Sequence, residues 1–587
     1  MKFIFSYLKK YLNLISVVMF VKFLGSFGEL LLPYVLEHMI DEVVPTQNLK
    51  QVILWGITML LLAFLVRQFN VNANRLAVKV AKSSIYEIRR DLFWKSINLS
   101  GNQMDAFGLP SLTSRMTSDS YNVQNFIQAV QAMGVRAPIL LFGGIIITMT
   151  MDMGLAMILL IMAPILIVIV CYVSFKGIPL YERVQESVDD IVRTMRENIT
   201  GIRVVKSLSK EEYEKARFER VNNEMAVNDR KAGIVMAMPG PIMTLFLNVG
   251  LTIVVILGAY RVNAGEIKPG VILAFLTYFN MILMGVMGLN RIFMMMSKAN
   301  ASAARIEAVV TAPDELIAIP EEEGATTDKD GYIVFEHVDF SYDAEEDAPR
   351  MSADFAREKC LYDIDFSIRK GGSLGIIGAT GSGKTSIINL LMRFYDPTTG
   401  HVFIDGKDVR TYDKDVLHRM FGVVFQNDVI FADTLKENIS FGRQVSMDDI
   451  RKAAEDARAR EFIENYEDTY EHEAVIHGAN LSGGQRQRTL IARALVASPE
   501  ILVLDDSSSA LDYKTDAALR KAIRTHHKDA TTIIVAQRIS SIMSLEHIMV
   551  LDEGRVIGYG THEELMKSCP MYQDIYKTQM GEVTDGN

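Results

Sequence analysis

Six stretches in the first half of this chain are long and apolar enough to demand a lipid environment. They lie at roughly 13–38, 52–73, 130–151, 154–176, 236–262 and 268–296, each near or above the ~20 residues that cross a hydrocarbon core. Inside lipid such segments must satisfy their own backbone hydrogen bonds, which restricts them to helices. The composition agrees: hydrophobic residues make up 49% of the 587, and the mean hydropathy is positive. The net charge of −10 argues against a nucleic-acid partner. Three widely spaced cysteines, Cys171, Cys360 and Cys569, form neither a metal-ligand spacing nor a disulfide framework.

The connections between spans alternate in character. "DEVVPTQNLK", "MDMG" and "VNAGEIKP" are short, whereas 74–129 and 177–235 are long, basic and helical in pattern. Lys/Arg excess marks the cytoplasmic side, so the long extensions and both termini are expected in the cytoplasm. The N-terminal "MKFIFSYLKKYL" runs into a span with no small-residue cleavage site. It is expected as a surface helix ahead of a retained span, not a signal peptide. Among the polar residues within spans, Glu29 is the expected cavity-lining group, while Lys22, Arg67 and Arg136 are expected at span ends or paired with it. Met281, Met284 and Met287 recur on one face of the sixth span, a flexible, polarizable surface suited to varied cargo.

Residues 331–580 have the composition of a soluble α/β domain, joined to the spans (1–310) by an acidic, turn-rich linker, 311–330. "GIIGATGSGKTS" carries Gly378-Ala379-Thr380-Gly381-Ser382-Gly383-Lys384-Thr385, with Ser386 following, between an apolar strand and a helix. This is the phosphate-binding loop pattern: backbone N–H groups wrap the phosphates of ATP, Lys384 reaches the β- and γ-phosphates, and Thr385 ligates Mg²⁺. Asp505, ending the apolar "EILVLD", is the expected carboxylate for the same Mg²⁺. A second anion-ready helix start follows Ser482-Gly483-Gly484-Gln485. One nucleotide cannot use both, so the second is expected to serve a nucleotide bound by another copy of the fold.

With these motifs in hand, the chain resembles an ABC exporter half-transporter over essentially its whole length. "LSGGQ", residues 481–485, matches that family's signature without a mismatch. The resemblance implies an α-helical six-span transmembrane domain with long cytoplasmic helical extensions, followed by an α/β P-loop ATPase domain of the ABC type. It implies that Tyr342 stacks on adenine and that Gln426 contacts nucleotide and Mg²⁺ and links them to the membrane domain. It also implies that Ser509–Asp512 crosses a dimer interface, and that coupling helices lie near 112–119 and 207–218. Three positions depart from the pattern: Asp506 stands at the catalytic Glu, Gln537 at the switch His, and Ile476 where a Glu is usual before the signature. An extra stretch, Asp343–Lys359, has no assigned role.

Asp lacks one methylene of Glu, and Gln cannot carry a proton as His can. The pair implies a site that holds ATP and hydrolyses it slowly, beside an intact signature that completes a faster site elsewhere. The expectation is therefore the degenerate-site half of a heterodimeric, multidrug-type exporter in the cytoplasmic (inner) membrane, partnered by a non-identical half-transporter and moving a small amphipathic substrate. The alternatives are a homodimeric lipid or peptide exporter, and an ATP-gated regulator or channel that binds nucleotide without pumping.

Overall fold

The computed structural model describes residues 1–342, 359–507 and 510–580. The chain forms two compact units. One comprises Met1–Ile97 and Pro110–Ala312, the other Asn98–Leu109 and Pro313–Asn587.

The first unit is all-helical. Its principal elements are Leu12–His38, Leu49–Ile97, the helical run Leu109–Met151, Met153–Thr200, Glu211–Ala237 continued by Pro239–Asn263, and Pro269–Val310. Five of these are long and apolar enough to cross a membrane, and Met153–Thr200 opens with the apolar stretch Met153–Ile169. Every expected span falls on one of them, save that Lys268 caps the last helix from outside. Helix Leu49–Ile97 has 49 residues, roughly 74 Å at ~1.5 Å per residue. A hydrocarbon core takes about 30 Å of that, so more than half of it extends beyond, as the basic character of 74–97 requires.

Several polar groups on the spans find partners within the unit, while Arg67 is exposed. Arg136 donates to both Glu29 oxygens, at 3.1 and 2.7 Å. Glu29 is thus an ion-pair partner of Arg136, the pairing anticipated for that arginine, because a carboxylate among apolar helices is retained where a cation meets it. Lys22 is buried and donates to Asn74 Oδ1 at 3.0 Å, in the interior of its helix and not at a span end. Asn248 and Asn280 turn back onto carbonyls four residues earlier, Thr244 and Leu276. On the sixth helix Met284 and Met287 are exposed while Met281 packs inward.

The second unit holds two sheets. The antiparallel one runs β2 (Leu361–Ile368), β1 (Ile333–Phe340), β4 (Thr399–Ile404), β5 (Lys407–Asp408). The larger runs β10 (Arg555–Gly560), β9 (His547–Asp552), β3 (Ser373–Gly378), β8 (Thr531–Val535), β7 (Ile501–Asp505), β6 (Phe421–Val424). It is parallel from β9 to β6, with β10 antiparallel at the edge. Strands β7 and β8 are buried at every residue; continuous apolar runs such as "ILVL" belong in a parallel sheet covered on both faces. Parallel order places the C-terminal ends of β3, β7 and β8 side by side, where ligands of open α/β sheets bind.

Residues 98–109, between two long helices in the sequence, belong to this second unit. Ser100 and Gln103 form a capping box that starts helix Gly101–Phe107. Tyr395 donates to Asp105 Oδ2 at 2.6 Å, Lys414 to Asn98 Oδ1 at 2.6 Å, and the Gly101 N–H to Phe394 O at 3.2 Å. This segment lies just ahead of 112–119, near which the first coupling helix is expected. The second long extension turns at a separate short helix, Ile202–Ser207, ahead of the expected 207–218. The expected linker also contributes here: Ile319 N–H donates to Arg410 O at 2.9 Å, and Arg393 donates to Ile317 O at 3.0 Å.

Candidate functional site

Strand β3 ends at Gly378, and residues 379–383 loop over to helix Lys384–Leu391. The loop needs its glycines. A Cβ on Gly378 would lie 2.2 Å from the Leu551 carbonyl, and Gly383 has φ +96°, left-handed territory that glycine adopts without strain. Lys384 Nζ curls over the loop, donating to the carbonyls of Gly378 (2.9 Å) and Ala379 (2.6 Å). Ser382 is buried beneath it.

The neighbouring strand end brings Asp505 to Thr385, whose hydroxyl donates to Asp505 Oδ2 at 3.1 Å. A hydroxyl and a carboxylate paired at a helix N-terminus are the hard-oxygen donors that Mg²⁺ takes, so these residues fit the expected ion. Burial pushes the Asp505 carboxyl above the usual carboxylate range, and the nearby Asp506 adds to this. Burial also raises Asp506 and lowers the Lys384 ammonium, which both carboxylates partly restore.

These groups line one open cavity of about 500 Å³, within the ~300–1,000 Å³ usual for small-molecule sites. Its walls include Gly378–Gly381, Gly383–Ser386, Gln426, Asp505, Asp506 and Gln537. Two of the three departing residues meet there: Gln537 Nε2 donates to Asp506 Oδ2 at 2.8 Å. Asp506 itself has φ +50°, a conformation Asp tolerates better than most side chains.

Tyr342 packs edge-on with Phe340 and Tyr395, its hydroxyl 2.9 Å from Ser386 Oγ at the cavity's margin. The signature is elsewhere. Ser482 caps helix Gly483–Leu495 in a reciprocal box with Gln485, and none of Ser482, Gly483, Gly484 and Gln485 lines the cavity. Gln487, one turn along that helix, donates to Asp506 O at 3.3 Å and accepts from Ala510 N–H at 3.2 Å. Asp512 caps the next helix, Tyr513–His526, while Ser509 and residues 343–358 of the extra stretch lie outside the described residues. Ile476 is exposed.

Sequence reasoning missed seven wall residues: Ile377, Val535 and Ala536 beside the motifs, and four outside any motif, Cys360, Met571, Ile575 and Gln579. Cys360 directly precedes β2 and carries no motif. The other three recur every fourth residue on helix Pro570–Met580, a spacing that marks one helix face but does not say what that face meets.

The ABC transporter transmembrane region family matches residues 15–287, and the ABC transporter family matches residues 361–509. The chain is 33% identical over 579 residues to the uncharacterized ABC transporter ATP-binding protein YfiB of Bacillus subtilis, covering 98% of each. It is 31% identical over 584 residues to the corresponding protein MT1311 of Mycobacterium tuberculosis, covering 99% of this chain and 98% of that one. A solved bacterial Atm1-family ABC exporter with ATP bound superposes with a TM-score of 0.80 at 22% identity, covering 98% of this chain and 99% of the other. That likeness extends the shared fold across both units. With full-length relatives above 30% identity, both family regions matched in one chain and a phosphate loop on the expected strand, the chain belongs to the ABC transporter family, with a transmembrane region fused to its ABC ATPase.

Proposed function

We propose that this chain is the degenerate-site half of a heterodimeric exporter driven by ATP and Mg²⁺. It would sit in the cytoplasmic membrane with both termini inside. The observation that carries the reading is the 2.8 Å hydrogen bond from Gln537 to Asp506. In-line attack on a γ-phosphate needs a carboxylate within hydrogen-bond reach of the attacking water. Asp506 is one methylene short of that position and one of its oxygens is committed to Gln537, so the two departures reinforce each other. Thr385, Asp505 and Gln426 would hold Mg²⁺, whose charge offsets that of the phosphates. Lys384, Ser386 and the backbone of Gly378–Gly383 would hold the nucleotide, with Tyr342 on its adenine side.

The signature's separation from the chain's own cavity supports its service to a partner's nucleotide. There Ser482 and the N–H groups of Gly483, Gly484 and Gln485 would face the γ-phosphate. The exposed Ile202, Val204 and Leu208 around the short helix Ile202–Ser207 suit docking on that partner. Exposed Met284, Met287, Met294 and Met296 on the sixth helix suit small amphipathic cargo.

Two substitutions in this chain separate heterodimer from homodimer. In a heterodimer Lys384 and Ser482 serve different nucleotides. Ser482→Ala should lower steady-state ATPase of the complex in lipid by roughly a hundredfold, the scale of one lost contact to developing charge. Lys384→Ala should lower it far less. Equal inactivation by the two, with nucleotide binding measured at each site, would overturn the heterodimer and favour two equivalent sites.

A further inference from the structure

The C-terminal helix Pro570–Met580 forms a wall of the nucleotide cavity through Met571, Ile575 and Gln579. It is firmly seated: Tyr572 is fully buried with its hydroxyl 2.7 Å from His562 Nδ1, and Gln573 donates to Met566 O at 2.9 Å. At its far end the Gln579 side chain does something specific. Its Nε2 donates to the Gln537 carbonyl at 2.7 Å, and its Oε1 accepts from the Ile539 N–H at 2.7 Å. One amide thus brackets Arg538 from both sides.

Those two backbone groups lie just past the end of β8 at Val535, where the sheet ladder no longer supplies partners and an unsatisfied group is costly. The same segment is also tied by Arg520, which donates to Ser540 O, and by Ser541 Oγ, 3.3 Å from Asp516 Oδ2. Gln537 in turn reaches Asp506. A continuous relay therefore runs from the C-terminal helix through Gln579 and the 537–539 backbone to the Gln537 amide and the Asp506 carboxylate.

We propose that Gln579 is a positioning residue for the ATP site, setting the place of Gln537 through its backbone. The inference rests on the proposed function's placement of the Gln537–Asp506 pair beside the γ-phosphate, and adds that the Gln537 amide itself contacts that phosphate. The C-terminal helix is then part of the site's machinery and any displacement of it moves the residue that engages Asp506.

The test uses the full transporter in lipid, retained radiolabelled ATP with Mg²⁺ as the probe, and Gln579→Met, which keeps volume and removes both hydrogen bonds. Retention at this chain's site should shorten roughly three- to tenfold, the scale of one or two hydrogen bonds. In a Gln537→Ala background the same substitution should leave retention unchanged, while the nucleotide-free unfolding midpoint drops equally in both backgrounds. Gln579→Met that leaves retention intact, or shortens it equally with and without Gln537, overturns the positioning role. Gln537→Ala that leaves retention unaltered removes the γ-phosphate contact itself and sinks the proposed reading along with it; the two failures are thereby told apart.

Discussion

Returning Glu and His to positions 506 and 537 should work only in combination. A well-placed general base contributes about 10²- to 10⁴-fold, and a misplacement near 1 Å costs about a hundredfold. Asp506→Glu supplies the missing methylene, yet Gln537 Nε2 still donates to that carboxylate from 2.8 Å away. A hydrogen bond to a charged group is worth about 1.5–3 kcal/mol, and the lower end applies because Gln537 is exposed. Position 506 also has φ +50°, where a longer side chain adds strain on the order of 1 kcal/mol. The single change should therefore raise turnover at this site by no more than about threefold, and Gln537→His alone by a similar factor. The double variant should gain about a hundredfold. Tenfold beyond the product of the singles corresponds to a coupling of about 1.4 kcal/mol, well within the range for residues in contact. The assay is phosphate release by the full transporter in lipid, with Ser482→Ala in the same chain so that the site using this signature is silent. Ser482 also caps its helix, so an unfolding scan must first show that the ~1 kcal/mol lost with the cap leaves the chain folded. A hundredfold gain from Asp506→Glu alone, or a double variant no faster than the product of the singles, would refute the reasoning.

Glu29→Gln should lower the thermal midpoint of the detergent-solubilised protein, by about 1–3 kcal/mol in stability. The pair with Arg136 is only partly buried, so its loss costs less than the ~3–5 kcal/mol of a fully buried pair. The exchange Glu29→Arg with Arg136→Glu should recover part of the loss, and a swap no better than the single change would show that the pairing is incidental. At the nucleotide site, burial holds the Asp505 pKa above that of the unfolded chain. The folded state therefore keeps a proton that the unfolded state has released, and nucleotide-free stability should fall as pH rises from the ordinary Asp range through the folded value. Asp505→Asn should raise the nucleotide-free midpoint at neutral pH while abolishing Mg²⁺-dependent ATP binding, checked by scanning fluorimetry with and without MgATP; an unchanged or lower midpoint would refute the burial argument.

The amino-acid sequence by itself determined the helical membrane half, the α/β ATPase half, the phosphate loop and the altered pair at 506 and 537. Each is a local matter. Helical or strand periodicity, a glycine where φ is positive and a hydroxyl before a helix act within a few residues of chain, so they can be read along it. Tertiary structure alone decided which of these groups meet. Glu29 finds Arg136 more than a hundred residues away, which selects that cation from the several polar groups on the spans. Residues 98–109 lie between two long helices in the sequence yet pack within the ATPase unit, because Tyr395 and Lys414 supply their hydrogen bonds. Gln537 and Asp506 are legible in sequence as a jointly altered pair, but the hydrogen bond between them exists only because β7 and β8 pair in parallel and bring their ends together. Gln579 carries no motif at all; its role comes from a helix seated by Tyr572 at a distance that leaves one amide facing two backbone groups the sheet no longer satisfies. Backbone propensity is written within a turn of chain, whereas hydrogen-bond and ion-pair partners are selected by packing, and packing joins residues that sequence distance keeps apart.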